Sequence, residues 1–171
     1  QALVLIPEIG LTPQTLERFR SRFGQGVVVL HSGLNAGERY AAWEAARTGA
    51  AGIVIGTRSA IFTSLQRPGL IIVDEEHDSS FKQQDGFRYS ARDLAVKRAQ
   101  IEDCTVVLGS ATPALETLHN ALQGRYGHHQ LTLRAGSGEL PAIAAIDVRR
   151  QELQGGMSGA LRDAVRSSLE A

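Results

Sequence analysis

Three carboxylates and a histidine stand in a row at Asp74-Glu75-Glu76-His77, directly after the apolar run Leu70-Ile71-Ile72-Val73. A short continuous apolar run reads as a strand of a parallel sheet, buried on both faces. In open α/β sheets, chemistry sits just beyond the carboxyl ends of such strands. The strand would deliver Asp74 and Glu75 to that edge. There one carboxylate can hold Mg²⁺ beside a nucleoside triphosphate, and its neighbour can position or activate water. The plainer alternative is a solvated acidic loop after a core strand, since a short motif alone carries false positives.

Three further segments bear on that choice. Pro7-Glu8-Ile9-Gly10-Leu11-Thr12-Pro13 follows the apolar run Ala2 to Ile6. Gly56-Thr57-Arg58-Ser59 follows Gly52 to Ile55, and Gly109-Ser110-Ala111-Thr112-Pro113 follows Thr105 to Leu108. Each loop follows a predicted strand, so a parallel sheet would gather all of them at one edge with Asp74 and Glu75. Taken singly they have simple structural readings: prolines that start helices, a glycine turn, hydroxyls that cap. Chance rarely supplies four loops of this chemistry at one edge.

The elements that must position them alternate along the chain. Val27 to Leu30 is another strand, beside those already named. Thr12 and Pro13 open a helix as N-cap and first residue, Leu16, Phe19 and Phe23 share its apolar face, and Gly24 ends it. Asn35 and Glu38 have capping-box spacing for a helix to about Thr48. Ser90 and Asp93 open a third, to about Gln100, and Thr112 and Pro113 a fourth, before Gly124. This order predicts an α/β fold: a doubly wound, mostly parallel sheet with helices on both faces and right-handed crossovers. Beyond Gly124 the pattern weakens. Residues 129–133 and 142–146 are expected as marginal strands around a loop at 134–141. Gly155-Gly156 is hinge-like, and Ser158 caps a last helix.

The chain has 171 residues and is 43% hydrophobic, enough for a globular core. Eighteen basic and eighteen acidic residues cancel, so any surface for nucleic acid must be local. The lone Cys104 excludes an internal disulfide and a multi-cysteine zinc site. No apolar run is long enough to span a bilayer and no signal peptide is evident, so a soluble, cytoplasmic protein is expected.

Phe81 to Tyr89 is unusual: Phe81, Phe87 and Tyr89 share a polar loop with Lys82 and Arg88. Aromatic and guanidinium planes stack on bases at about 1–3 kcal/mol per base. The alternative is a satellite cluster packed beneath the loop, or a mixture with Phe81 packed and Phe87 and Arg88 exposed. His31 either faces the same edge or closes a capped turn. His128 and His129 are adjacent and lack companion ligands, and Trp43 is expected in the core.

The loops at 5–14, 30–34, 55–59, 74–84 and 108–117 together resemble the first motor lobe of superfamily 2 helicases, and within them the replication-restart DNA helicases. The resemblance spans nearly the whole chain. It implies a RecA-like lobe lacking the phosphate-loop strand. Residues 1–124 would be part of that lobe, 125–157 the marginal strands and loop closing it, and 158–171 the start of a helix toward a second lobe. It implies ATP and Mg²⁺, with Asp74 holding the metal mostly through water, Glu75 orienting the attacking water, and His77 coupling to Ser110, Ala111 and Thr112. Pro7, Glu8, Gly10, Thr12, Gly56, Thr57, Arg58 and Ser59 would line a path for single-stranded or forked DNA, and Phe87, Arg88 and Tyr89 would join DNA binding to hydrolysis. Primosome proteins and single-strand-binding protein are the implied partners, with no membrane. The zinc of such proteins is held by cysteines that this chain does not carry. No Gly-x-x-x-x-Gly-Lys-Ser/Thr occurs in the sequence. The chain therefore reads as a fragment, with the phosphate loop expected upstream and the second lobe downstream. By itself it is expected to be inactive. The competing reading is a non-catalytic nucleic-acid or protein interaction module derived from such a lobe.

Overall fold

The computed structural model describes residues 1–132, 143, 145–149 and 152–169. The chain divides into two compact units, Gln1–His128 and His129–Ala171.

The first unit is an α/β sandwich built from β1 (Ala2–Leu5), α1 (Pro13–Phe23), β2 (Val27–Leu30), α2 (Ala36–Arg47), β3 (Ile53–Gly56), β4 (Leu70–Val73), β5 (Lys82–Gln83), β6 (Tyr89–Ser90), α3 (Ala91–Ile101), β7 (Thr105–Leu108) and α4 (Leu115–Leu122). Five strands form one parallel sheet in the order β2-β3-β1-β4-β7. Strands made of Val, Ile and Leu suit this interior position because both of their faces are covered. Leu3, Leu5, Val54, Ile71 and Val73 face one side and pack with Phe81 and with Ala91, Ala95 and Ala99 of α3. The alanines recur every four residues, so one face of α3 has no bulk and lies close on the sheet. Val4, Ile6, Val27 and Ile55 face the other side, against Leu16 and Phe19 of α1. Each fully buried Leu, Ile or Val contributes about 1.5–3 kcal/mol relative to exposure.

The helix starts follow the sequence signals in three cases. Thr12 Oγ1 accepts from the Thr15 amide at 3.2 Å, and Ser90 Oγ from the Asp93 amide at 3.2 Å. Asn35 and Glu38 form the full capping box at 2.9 and 3.0 Å. The fourth differs. α4 begins at Leu115, with Ala114 at its N-cap and no side-chain cap. Thr112 is held in a tight turn, its amide donating to Ser110 Oγ at 3.0 Å, and so cannot start the helix.

β7 is an edge of the sheet, and Val107 is 46% exposed on it. β5 and β6 form a separate antiparallel ribbon that closes the aromatic loop.

In the second unit, Gln154 and Met157 pair across Gly155-Gly156, both at positive φ (59° and 81°), so the hinge-like spot is a tight turn. α5 (Gly159–Leu169) follows, its first turn capped by Ser158 Oγ accepting from the Leu161 amide at 3.2 Å. The expected strand at 129–133 is not formed over residues 129–132, and residues 143, 145 and 146 of the second are not strand either. Among the described residues these segments have no ladder partner, and an unpaired extended segment leaves its amides to solvent. Residues 133, 142 and 144, and the loop expected at 134–141, lie outside the described residues.

Candidate functional site

The carboxyl edge of the sheet is stitched by backbone hydrogen bonds that run past the strand ends. Thr57 donates to Leu30 O at 3.2 Å, Ile6 to Gly56 O at 2.9 Å, Asp74 to Leu5 O at 2.9 Å, and Gly109 to Val73 O at 2.9 Å. Glu76 then donates back to Gly109 O at 3.0 Å. The loops after β1, β3, β4 and β7 therefore start at fixed positions on one edge. Gly56 is needed for this closeness: a Cβ there would meet Ala60 Cβ and lie 2.6 Å from Leu30 O.

Asp74 and Glu75 are exposed at this edge. Glu75 has φ 48°, a left-handed conformation that a residue with a Cβ adopts only under constraint. Asp74 Oδ1 accepts from the Glu75 amide at 3.1 Å and helps hold that turn. The turn reverses the chain so that Glu75 stays outside while Glu76 points inward. Among the described residues no group of three or more His, Cys, Asp and Glu could hold a metal ion. An exposed carboxylate such as Asp74 fits Mg²⁺, which keeps several waters and binds through one or two carboxylates plus substrate phosphates.

His77 joins the loops after β4 and β7. Its Nδ1 lies 2.7 Å from Ser110 Oγ and its Nε2 3.4 Å from Thr112 Oγ1. Glu75 Oε2 is 3.5 Å from Nδ1. Thus one imidazole touches a strand-end carboxylate and two hydroxyls of the Gly109–Pro113 loop. Asp78 sits below, accepting from the Ser80 amide at 2.7 Å, and that bond holds its carboxyl below the ordinary range.

Sequence reasoning missed the residue that fastens this site to its scaffold. Glu76 is 2% exposed. Its carboxylate accepts from the Ala114 amide at 2.6 Å, from Thr117 Oγ1 at 2.9 Å and from Arg92 Nη1 at 3.3 Å. One side chain thus binds the start of α4, the start of α3 and the carboxylate loop. Burial disfavours the Arg92 charge, but Asp93 at 2.9 Å and Glu76 outweigh it and keep the guanidinium's pKa raised. The signal available was weak: an arginine just inside a helix, and a third acid where two suffice.

The candidate nucleic-acid residues are spread over the same edge. Pro7 is buried, whereas Glu8 and Ile9 stand out, Ile9 at 88% exposure. Thr57 is 5% exposed and Ser59 is exposed. Arg58 is committed to carbonyls of the next loop, Nη1 donating to Ser80 O at 3.0 Å and Lys82 O at 3.2 Å. It therefore ties the loop after β3 to the aromatic loop. That loop shows the mixed arrangement: Phe81 is buried, Phe87 is 76% exposed, and Arg88 is exposed. Phe87 and Tyr89 rings are 5.9 Å apart, and Tyr89 meets Phe62 edge-on at 5.0 Å. A groove of about 530 Å³ opens beside them, lined by Lys82, Arg88 and Tyr89. Trp43, expected in the core, instead lies on the surface of α2 at 36% exposure with the Arg47 guanidinium 5.6 Å from its ring centre. α2 turns its alanines to the sheet, Ala46 being fully buried, so the indole has no place beneath it.

A parallel sheet whose carboxyl edge carries an Asp-Glu pair and a histidine within reach of two hydroxyls is the plan of a helicase motor lobe. The chain belongs to the DEAD/DEAH box helicase family, which it matches over residues 1–121. Within that family it is similar to proteins named Replication restart protein PriA. That of Haemophilus influenzae is 50% identical over 170 residues, 99% of this chain and 23% of that protein. The Synechocystis protein is 53% identical over 161 residues, 91% of this chain and 19% of that protein. The Bacillus subtilis protein is 46% identical over 156 residues, again 91% and 19%. The chain thus spans about a quarter or less of the length of these relatives. Among the described residues no helix is long and apolar enough to cross a membrane.

Proposed function

We propose that this chain is part of the first motor lobe of an ATP-dependent DNA helicase of the primosomal protein N′ type, acting in the cytoplasm in replication restart and primosome assembly. The observation that carries the proposal is His77, held within hydrogen-bonding reach of both Ser110 and Thr112 while Glu75 stands beside it. Such a bridge can pass a change at the carboxylates to the neighbouring loop. Asp74 would hold Mg²⁺ through water, which neutralises charge on the phosphates when nucleotide is bound. Glu75 would accept a hydrogen bond from the attacking water and orient it. Ser110, Ala111 and Thr112 would respond through His77. The loops at 7–12 and 56–59 and the side chains of Phe87, Arg88 and Tyr89 would meet single-stranded or forked DNA, phosphates on hydroxyls and amides, bases on rings. Primosome proteins and single-strand-binding protein would engage the whole protein, and zinc would be held there by cysteines outside this sequence.

Phosphoryl transfer depends on positioning and charge neutralisation of the phosphates. This sequence has no Gly-x-x-x-x-Gly-Lys motif to cradle them. The chain by itself is therefore expected to bind Mg-ATP poorly and not to hydrolyse it; calorimetric titration showing micromolar binding contradicts this. In the full-length protein, Glu75→Gln should retain nucleotide but lose DNA-stimulated turnover by several orders of magnitude, and Asp74→Asn should weaken Mg²⁺ dependence. Near-normal turnover in Glu75→Gln means that Glu75 does not orient the attacking water.

A further inference from the structure

We infer that the groove between α2 and the loop after β3 is a base-stacking subsite for single-stranded nucleic acid, with Tyr40, Trp43 and Phe62 as its stacking faces. It deepens the nucleic-acid part of the function proposed above. The groove has a volume of about 690 Å³, and no carboxylate lines it. Tyr40 is 65% exposed, Trp43 36% and Phe62 56%. Single exposed aromatics are ordinary, but several around one concavity mark a binding surface. Tyr40 and Trp43 rings lie 6.2 Å apart, tilted by 33°, two adjacent aromatic faces one turn apart on the same helix.

Charge and hydrogen-bonding groups select the occupant. Arg39 lines the groove, and Arg47 lies over the Trp43 ring. The acids of α2 are both engaged: Glu44 is held by Arg47 at 2.7 Å, and Glu38 accepts from the Asn35 amide at 3.0 Å. Ser59 and Ser32 supply hydroxyls of the kind that meet phosphate oxygens. His31 Nδ1 accepts from the Gly33 amide at 3.1 Å, so the neutral ring carries its proton on Nε2 and can donate. A strand of alternating flat bases and anionic phosphates matches π-faces, donors and an absence of acids. A duplex does not, because its bases are already stacked on one another.

Continuity supports the same occupant. Ser59 belongs both to this groove and to the loop proposed to meet DNA. Phe62 contacts Tyr89 edge-on at 5.0 Å, and Tyr89 lies 5.9 Å from Phe87. The aromatic surface therefore runs from Trp43 and Tyr40 through Phe62 to the loop carrying Phe87. A strand following the candidate path would arrive at the groove.

The test is binding of fluorescein-labelled oligo-dT, and of an abasic strand of equal length and charge, to the full-length protein and to its Tyr40→Ala, Trp43→Leu and Phe62→Ala variants. Each variant should bind oligo-dT roughly 5- to 150-fold more weakly, the range for one lost base stack. Abasic binding should be unchanged in all of them. The difference in tryptophan fluorescence between the unsubstituted protein and Trp43→Phe should be quenched by oligo-dT and not by the abasic strand. Tyr40 is the decisive position, since its exposure makes misfolding on truncation a minor concern; matching thermal midpoints verify this. Unchanged oligo-dT affinity in all three variants overturns the subsite while leaving the motor assignment intact. Equal losses on both strands also overturn it, because they locate the effect in phosphate contact or packing. No oligo-dT binding by the unsubstituted protein overturns the nucleic-acid reading itself.

Discussion

Replacing Glu76 by alanine should destabilise the first unit by about 3 kcal/mol, although the residue sits in a motif whose other acids are exposed. Its carboxylate is 2% exposed and accepts three hydrogen bonds, from Ala114, Thr117 and Arg92. Hydrogen bonds to a charged group contribute about 1.5–3 kcal/mol each, and removing one partner of a buried ion pair costs about 3–5 kcal/mol. Arg92, 8% exposed, would not be left alone: Asp93 is 2.9 Å away and Glu116 3.8 Å. Those partners place the cost at the lower end. Glu76→Gln keeps an acceptor for the Ala114 amide but loses the charge facing Arg92, so about 1.5–2 kcal/mol is expected. Asp93→Ala removes an exposed partner and should cost under about 1 kcal/mol. Urea unfolding at constant m measures all three. For a chain of this size, about 3 kcal/mol corresponds to a fall of roughly 6–12 °C in Tm. A Glu76→Ala cost below about 1 kcal/mol, or one equal to that of Asp93→Ala, refutes the reasoning. The buried carboxylate would then be no more than a spectator.

Four further outcomes are expected. Glu75→Gly should raise stability by about 1 kcal/mol, since φ 48° strains any residue with a Cβ, while abolishing turnover in the full-length protein; a loss of stability shows that the turn is not strained. Phe87→Ala and Arg88→Ala should lower the ratio of DNA-stimulated to basal ATPase rate, and an equal fall in both rates points to a packing defect. Cys104 should react with a thiol reagent more slowly in the folded than in the urea-unfolded chain, because burial, then Glu102, push its thiol pKa up and leave less thiolate at neutral pH. The Gly109 amide points to β4, so by alternation the Val106 and Leu108 amides point away from it, and their hydrogen exchange should slow as protein concentration rises if the open edge pairs with another chain; fast, concentration-independent exchange means that the edge simply stays open.

The sheet and the edge were legible because each strand is a short run of Val, Ile and Leu that can only be buried, and each loop begins where such a run stops. In the structure Leu3 and Leu5 pack on one face and Val4 and Ile6 on the other, as strand alternation requires. What was not legible depends on which way a side chain turns after a strand ends. Asp74, Glu75 and Glu76 are chemically alike in the sequence, and the left-handed turn at Glu75 alone decides that the third goes inward. Arg58 was legible as a cation on a loop, but its commitment to the Ser80 and Lys82 carbonyls depends on another loop's path. Trp43 was misassigned because a large apolar residue on a helix suggests core, whereas α2 approaches the sheet through alanines and leaves no depth for an indole. The α4 start failed for a related reason: Ser110 binds the Thr112 amide locally and removes Thr112 from the capping role.

The backbone bonds along the sheet edge also bear on how the proposed coupling through His77 could work. Asp74 is hydrogen-bonded to Leu5, Gly109 to Val73, and Glu76 back to Gly109, so the carboxylate loop and the relay loop cannot shift as bodies without breaking main-chain bonds. Glu76 adds a side-chain clamp on α3 and α4. Movement is left to side chains above that frame: the exposed Glu75, His77 and Thr112 and the half-buried Ser110. His77 has hydroxyl partners at both ring nitrogens, at 2.7 and 3.4 Å, and the longer contact is the weaker. Under the function proposed above, a change at Glu75 would reach Thr112 by rotation of one imidazole and exchange of one weak hydrogen bond. A rigid rim with one rotatable bridge would, on that proposal, confine the response to the loop after β7.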